Sequence, residues 1–213
     1  MIRYPDAHTH TARELPRAFE LLNVGLPVGE ELDERRCYSI GLHPWSDPAG
    51  WNAGLAQLEQ WISLPQARAV GECGLDKRRG ASMEEQKALF VKQIDLAVAH
   101  KKPLILHNHK ATAEMLELHT KYGGTPPWIL HGFRANASVM EMFLKRGFYF
   151  SYGIHFNEEA LLKTPPNCLL LETDEASEDE LQKLYVRVAA LLKMDVSELV
   201  ELIKKNMGAL FSM

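Results

Sequence analysis

The chain has no long apolar run, and this shortage is the first limit on what it can be. No hydrophobic stretch among its 213 residues approaches the roughly 18 residues that a membrane-spanning helix requires. Residues 1–6 also lack the apolar core of a signal peptide. We therefore expect a protein with no membrane segment and no secretion signal.

Cysteine is scarce as well. Cys37, Cys73 and Cys168 are the only three, they lie far apart, and no C-x-x-C pair occurs. Such spacing argues against a disulfide framework. Free, buried thiols suit a reducing compartment, so the sequence predicts a cytoplasmic protein.

Neither sign of charge is in large excess: 24 basic and 28 acidic side chains give a formal net charge of -4. This balance excludes a surface that is basic overall, as in many nucleic-acid-binding proteins, and leaves room only for a local basic patch. The hydrophobic fraction of 46% is enough for the core of one globular domain spanning residues 1–213. Histidine is more frequent than expected for a domain of this size: there are nine, and several directly follow apolar runs.

About eight apolar, strand-like segments alternate with helical patterns along the chain. This alternation predicts βαβ units, a parallel sheet and a (β/α)8 barrel of the TIM type, in which polar residues at the strand ends form the active-site rim. We expect one strand over residues 67–74 and two closing helices, over 177–193 and 195–206. Residues 11–36 lack a full helix between early strands, so the barrel is expected to be truncated near the N-terminus.

His8 and His10 stand two apart at the end of the first predicted strand. Residues i and i+2 of a strand point the same way, so both imidazoles can reach one metal ion. Two histidines in this spacing, close to Asp6, have a functional role more often than a single histidine does.

Two carboxylates end other predicted strands. Glu72 lies between glycines, where a charge is costly unless paired, and its alternatives are a salt bridge to Arg68 or Arg79 or a shared metal ligand. Asp174 could be the N-cap of the following helix, or a metal ligand that also accepts a proton from water.

His107 and His131 each follow an apolar run in two further strands. One of them alone could be a hydrogen-bonded core histidine. Two of them, together with Glu72 and the His8–His10 pair, suggest a metal site. Together these side chains make four imidazoles and two carboxylates. Such a set suits two cations about 3.5–4 Å apart for phosphoester hydrolysis. Nitrogen and oxygen ligands favour Zn or Mn over Mg, without selecting one.

The order of several motifs resembles the TatD-related metal-dependent hydrolases. They are Asp-Ala-His-Thr-His, Gly-Leu-His-Pro, Gly-Glu-Cys-Gly-Leu-Asp, Ile-Leu-His, Ile-Leu-His-Gly-Phe and Leu-Leu-Glu-Thr-Asp, with a similar C-terminal Asn206–Phe211. The resemblance implies an amidohydrolase-like barrel with two divalent metal ions. It implies that one ion is held by His8, His10, Glu72 and Asp174, and the other by Glu72, His107 and His131.

The resemblance also implies phosphodiester hydrolysis, since family members remove nucleotides from DNA 3′ ends. DNA or a small phosphodiester would be the substrate, a metal-bridging hydroxide the nucleophile, and Asp174 and Glu72 the catalytic carboxylates. His43 of the Gly-Leu-His-Pro motif is expected to contact the substrate phosphate. Arg78, Arg79 and Arg134 are further candidates for binding it.

Other functions fit the same His-x-His start. They are a metal-dependent phosphatase of the PHP type, an amidase or lactonase on the same barrel, and an accessory protein that binds metal without turnover. Two departures from the family pattern bear on the substrate. His109 and Lys110 stand where the family often has arginine, and Glu175-Ala176-Ser177 replaces a proline-containing loop.

Overall fold

The computed structural model describes residues 3–16, 18–29 and 31–213. Its centre is one eight-stranded parallel sheet in which the strands pair in the order of the sequence. The strands are β1 (Asp6–Thr9), β2 (Glu20–Gly25), β3 (Cys37–Gly41), β4 (Ala67–Asp76), β5 (Leu104–His109), β6 (Trp128–Leu130), β7 (Tyr149–Tyr152) and β8 (Leu169–Leu171).

Seven α-helices follow the later strands and cover the outside of the sheet. They are α1 (Trp51–Trp61), α2 (Met83–His100), α3 (Thr112–Tyr122), α4 (Ala137–Leu144), α5 (Glu158–Lys163), α6 (Glu178–Leu192) and α7 (Val196–Phe211). Capping boxes at Ser82 and Ser177 fix the starts of α2 and α6, since each serine and the glutamate three residues later satisfy each other's backbone N–H groups. None of the helices that the structure describes is both long and apolar enough to cross a bilayer.

The sheet closes on itself where β1 meets the end of β8. The backbone N–H of His10 donates to the carbonyl of Asp174, and the N–H of Asp174 donates to the carbonyl of His8, both at 2.9 Å. Strands such as β8 are buried on both faces, as expected for parallel strands covered by helices. The predicted fold class, a (β/α)8 barrel, is confirmed.

Some element bounds differ from the sequence-based expectation. The strand predicted over 67–74 continues to Asp76, because Gly74 takes a φ of 135° and lets β4 approach β5 closely. A Cβ at Gly74 would lie 2.1 Å from the carbonyl oxygen of His107. The last helix, predicted to end near 206, reaches Phe211, because its final turns bury Leu210 and Phe211 against the core.

The helix that the sequence lacks between the early strands is also missing from the described residues there. Among the described residues of 10–19 and 26–36, none is helical. A buried ion network lies beside the first strands instead. The guanidinium of Arg13 donates to the Asp6 carboxylate at 2.7 Å and also to Glu20, and Arg36 lies 3.6 Å from Glu20. The side chains of Asp6 and Glu20 are 0% and 3% exposed, so the network ties the irregular segment to β1 and β2.

Arg13→Met tests this network. Removing one member of a buried ion pair leaves a charge without compensation, so we expect the free energy of unfolding to fall by about 3–5 kcal/mol. Denaturant unfolding followed by circular dichroism measures the change. Arg35→Met is the matched control, because Arg35 pairs with Asp33 at the surface and is 74% exposed. A similar change in the two variants would contradict the role of the network.

Candidate metal centre

Six side chains that the sequence singles out lie together at the carboxyl ends of the strands. The members are His8 and His10 at the end of β1, Glu72 in β4, His107 in β5, His131 after β6 and Asp174 after β8. Parallel strands end at one rim of a barrel, which is why positions so distant in sequence meet. Subsets of these side chains, together with His43, place their potential ligand atoms within 4.8 Å of one another.

Glu72 is at the centre of the cluster. Its Oε1 atom lies 2.7 Å from His131 Nε2, 3.0 Å from His107 Nδ1 and 3.0 Å from His43 Nε2. Its Oε2 atom lies 3.3 Å from His10 Nε2 and 3.6 Å from His8 Nε2. The Glu72 side chain is 5% exposed, so one buried carboxylate is surrounded by five imidazoles.

Neither Arg68 nor Arg79 forms the alternative salt bridge to Glu72. The guanidinium of Arg68 donates to the carbonyl of Ser212, and the guanidinium of Arg79 lies over the ring of Trp45. Asn23 fixes the backbone of Glu72 instead, because its side-chain oxygen accepts from the Glu72 N–H at 2.6 Å.

Asp174 faces the His8–His10 side of the cluster. Its Oδ1 atom is 3.6 Å from His10 Nε2 and 3.9 Å from His8 Nε2. Its backbone has a φ of 59°, a left-handed conformation that is costly for most residues and more readily tolerated by aspartate. It does not cap the next helix, since Ser177 does so. A strained backbone held in place by β1 is typical of a functional position.

The electrostatics of the cluster favour an ionised Glu72, a neutral imidazole at His8 and a protonated imidazole at His131. Burial and the neighbouring His131 lower the pKa of His8 well below its usual value, which leaves a lone pair available. Burial opposes ionisation of Glu72, yet the surrounding His131, His10 and His107 hold the pKa of that carboxyl well below its usual range. His131, also opposed by burial, has its pKa raised well above normal by Glu72 and Glu172.

Two of the histidines are held from behind by buried carboxylates. His107 turns Nε2 toward Asp76 Oδ2 at 3.0 Å, and its Nδ1 toward Glu72. His131 turns Nδ1 toward Glu172 Oε1 at 3.3 Å, and its Nε2 toward Glu72. Such carboxylate–histidine pairs fix the tautomer and orientation of metal-binding imidazoles.

Asp76 does more than hold one histidine. Its Oδ2 atom also accepts from Trp45 Nε1 at 2.8 Å, and its Oδ1 atom accepts from the backbone N–H groups of Arg78 and Arg79. Although burial opposes it, the hydrogen bonds from Arg78, His107 and Trp45 lower the pKa of Asp76 to about 2. The carboxylate is therefore ionised, and both of its oxygens accept hydrogen bonds.

Asp76 and Glu172 were not among the predicted site residues, although the sequence contains a signal for both. Asp76 lies four residues after Glu72 in one strand, so period-two alternation predicts that both point the same way. Glu172 likewise lies two residues before Asp174. The error was to end the β4 strand at Gly74, which removed Asp76 from the rim.

The remaining predicted contacts are spread around the mouth. His43 lies within 3.0 Å of Glu72, so it belongs to the cluster itself. Arg134 lines the cavity in front of it. Arg78 and Arg79 are exposed and do not line this cavity. Arg79 nevertheless lies over the ring of Trp45, which does line it.

The cluster opens into a cavity of about 790 Å³. The imidazoles, Glu72 and Asp174 form part of its lining. The connections that follow β5 and β6 contribute the rest, including Lys110, Phe133 and Arg134. A volume of this size is within the range of roughly 300–1,000 Å³ that small-molecule sites occupy.

The residues present fit a divalent cation. His8 Nε2 and His10 Nε2 face each other at 3.2 Å, where at most one proton can lie between them, and Asp174 and Glu72 complete the same face. Converging imidazole nitrogens and carboxylate oxygens are the ligands of first-row transition metals and zinc.

An eight-stranded parallel barrel with a histidine and carboxylate cluster at its carboxyl rim defines a class of metal-binding α/β barrels. Within this class, the family described as TatD related DNase matches residues 25–212. The chain belongs to this family.

Individual relatives match shorter stretches. The protein named 3'-5' ssDNA/RNA exonuclease TatD of Cronobacter turicensis is 41% identical over 85 residues, which are 38% of this chain and 32% of that protein. The uncharacterized metal-dependent hydrolase TatD of Mycobacterium tuberculosis is 33% identical over 94 residues, 41% of this chain and 36% of that protein. The chain thus matches about a third of the length of these curated relatives.

Two solved structures share the fold over most of the chain. The structure of YJJV, a TatD homologue from Escherichia coli K12, superposes with a TM-score of 0.76 at 21% identity, covering 91% of this chain and 86% of that one. A TatD family hydrolase from Entamoeba histolytica gives a TM-score of 0.75 at 15% identity, with 90% and 84% covered.

Asp76→Asn tests the support behind His107. The amide replaces one acceptor with a donor. Of the two groups at Asp76 Oδ2, Trp45 Nε1–H and His107 Nε2, only the imidazole can respond, by moving its proton to Nδ1. We expect the ¹⁵N spectrum of the His107 ring to report the other tautomer in the metal-free protein. Affinity for divalent metal should fall roughly 10–100-fold.

Asp179→Asn is the matched control, because Asp179 is exposed on α6. It should change neither the ring spectrum nor the metal affinity. An unchanged His107 spectrum in Asp76→Asn would show that Asp76 does not set the tautomer.

Proposed function

We propose that this chain is a two-metal phosphodiesterase that acts as a TatD-like deoxyribonuclease on DNA 3′ ends. The observation that carries the proposal is the placement of Glu72, a buried carboxylate whose two oxygens face two separate groups of imidazoles. One group lies on the Asp174 side and the other on the Asp76 side. The nuclease names of the relatives support the nucleic-acid substrate.

The contacts support a division of metal-ligand roles. His8, His10, Glu72 and Asp174 would hold one cation, and Glu72, His107 and His131 the second, with His43 as an additional ligand or phosphate contact. Bound divalent ions would supply Lewis-acid stabilisation of phosphoryl charge and lower the pKa of water. Zn and Mn fit the mixed nitrogen and oxygen donors better than Mg does.

The protein's own groups supply the rest. Asp174 has the most exposed carboxylate of the cluster, at 29%, so it can accept a proton from an attacking water. Lys110 and Arg134 are exposed at the cavity mouth and can bind a phosphate of the substrate. Asp76 and Glu172 keep the imidazoles oriented throughout.

Asp174→Asn tests the proton acceptor. The amide keeps the shape but cannot take a proton, so we expect kcat on bis-p-nitrophenyl phosphate with Mn or Zn to fall at least roughly 100-fold. Asp179→Asn should retain the wild-type rate. Hydrolysis by the wild-type protein is the condition for the whole proposal, and its absence with both metals present would contradict it.

If Asp174→Asn changes only the metal content and the wild-type protein turns nothing over, the chain is a metal-binding accessory protein. Parallel rates on a phosphomonoester and a lactone separate the phosphodiesterase from the phosphatase and amidase or lactonase alternatives. The largest kcat/KM should be that of the phosphodiester.

A small phosphodiester is the second candidate substrate, and Glu175 is the observation that favours it. This acidic side chain lines the cavity next to Asp174, where it adds negative charge at the mouth. The charge repels a polyanion more than it repels a single phosphodiester.

Glu175→Gln distinguishes the two substrates. If DNA is the substrate, we expect kcat/KM on a single-stranded oligonucleotide to rise severalfold at low ionic strength, with the gain lost at high salt, because screening removes the repulsion. The rate on bis-p-nitrophenyl phosphate should hardly change. Measured oligonucleotide rates that stay negligible in both proteins would favour the small substrate.

A further inference from the structure

A buried carboxylate on β1 has no part in the proposed chemistry, yet it binds the residue that precedes Asp174. Asp6 is 0% exposed. Its Oδ1 atom accepts from the backbone N–H of Thr173 at 2.9 Å, and its Oδ2 atom accepts from the Thr173 hydroxyl at 2.7 Å. One carboxylate of the first strand therefore holds one residue after the last strand at two points.

Arg13 keeps the Asp6 carboxylate in this orientation. Its guanidinium donates to Asp6 Oδ2 at 2.7 Å and also pairs with Glu20 of β2. Its Nε atom lies 3.9 Å from Glu178 in the first turn of α6. A buried polar network whose members all have partners is rigid, so Asp6 presents a fixed pair of acceptors to Thr173.

Every polar group of Thr173 has a partner. The N–H and the hydroxyl donate to Asp6, and the carbonyl accepts from the N–H of Ala176 at 2.9 Å. Thr173 is 2% exposed, so water does not replace these contacts. The peptide that leads into Asp174 is therefore fixed from its N-terminal side.

Asp174 depends on such support more than the other members of the cluster do. Its φ of 59° is a conformation that persists in residues with a side chain only where the surroundings impose it. Its carboxylate faces His10 and His8 at 3.6 and 3.9 Å, and no other side chain in the described part of the chain pairs with it or hydrogen-bonds to it. The direction of this carboxylate thus depends on its backbone.

We propose that Asp6 and Thr173 are positioning residues that keep the Asp174 carboxylate directed at His8 and His10. They act through the backbone of Asp174 and contact neither substrate nor metal. The inference rests on the role of Asp174 in the proposed function and deepens it, because it says what places the proton acceptor. Without the Asp6–Thr173 contacts, the strained backbone relaxes and the carboxylate turns away from the imidazoles.

Thr173→Val tests the proposal in the metal-free full chain. Valine keeps the branched shape and the backbone N–H, and it removes only the hydroxyl. We expect the ¹⁵N ring resonances of His10 to move toward their values in Asp174→Ala, because the carboxylate leaves its place beside the ring. Thr173→Ser retains the hydroxyl and should keep the wild-type resonances. Wild-type resonances in a folded Thr173→Val protein would overturn the proposal.

Metal affinity is the second measurement. Calorimetric titration of the metal-free chain with Zn or Mn should show binding roughly tenfold weaker in Thr173→Val, at the step that Asp174→Ala also weakens. Thr173→Ser should bind as the wild-type protein does. Wild-type affinity in Thr173→Val would contradict a positioning role.

Thr164→Val is the matched control for lost stability. The Thr164 hydroxyl is also buried, donates to the carbonyl of Ala160 at 2.8 Å and lies 2.7 Å from the hydroxyl of Tyr152, but Thr164 does not line the cavity. Its removal should lower the thermal midpoint and leave metal affinity unchanged. An equal loss of affinity in Thr164→Val and Thr173→Val would show general destabilisation and overturn the proposal.

Asp6→Asn tests the other side of the contact. The amide nitrogen that replaces Oδ2 cannot accept from the Thr173 hydroxyl or from Arg13, so metal affinity should fall at least as far as in Thr173→Val. The double variant should bind metal no more weakly than Asp6→Asn alone, since both changes remove the same hydrogen bond. Additive losses would show that the two residues act independently. If Asp6→Asn does not fold, the comparison of Thr173→Val with Thr173→Ser decides.

Hydrolysis of bis-p-nitrophenyl phosphate at saturating metal separates this inference from the proposed function. Thr173→Val should lower kcat roughly tenfold with little change in KM, because the proton acceptor is misplaced while the substrate contacts remain. Wild-type turnover with an unchanged kcat and an unchanged His10 ring in Thr173→Val removes the inference alone. A shifted His10 ring without any wild-type turnover removes the phosphodiesterase and leaves Asp6 and Thr173 as positioning residues of a metal site.

Discussion

The structure depends on keeping one carboxylate buried among imidazoles. Glu72 is nearly inaccessible to water, and an isolated charge there would cost several kcal/mol. The barrel makes the position tolerable by bringing histidines from β1, β5 and the ends of β3 and β6 to the same point. Asp76 and Glu172 hold His107 and His131, so these two rings stay turned toward Glu72. The converging lone pairs are most simply satisfied by divalent cations, and for that reason the same arrangement supports both the fold and the proposed chemistry.

Support for the cluster extends one layer further, into groups that would not contact a metal. Asp76 and Glu172 hold His107 and His131 from opposite sides, and Asn23 fixes the backbone of Glu72. Asp76 also connects the cluster to the rim through Trp45. The closure between β1 and β8 positions Asp174 over His8 and His10, so the last barrel contact and the candidate proton acceptor depend on the same few residues. The segment after β1 carries no helix among its described residues, and the Arg13 network ties it to β1 and β2, so the closure is intact.

Much of this arrangement could be predicted from the sequence. The parts that could not be predicted were missed for physical reasons. The alternation of apolar strands and helices was enough to predict the barrel. The polar residues at the predicted strand ends were enough to identify His107, His131 and Glu72. Asp76 was missed because Gly74 suggests the end of a strand, whereas its positive φ continues the strand past a close backbone contact. The nearness of His43 to Glu72 depends on a turn after β3, which no periodicity reveals.

The comparisons establish the family and the fold, while the chemistry rests on the geometry of the site. Anomalous diffraction from crystals soaked with Mn or Zn, recorded on both sides of the metal absorption edge, tests the central claim most directly. The account predicts two anomalous peaks per chain, both next to the carboxylate of Glu72, one on the His8 and His10 side and one on the His107 and His131 side. A single peak, or peaks that leave Glu72 without a metal, would contradict it.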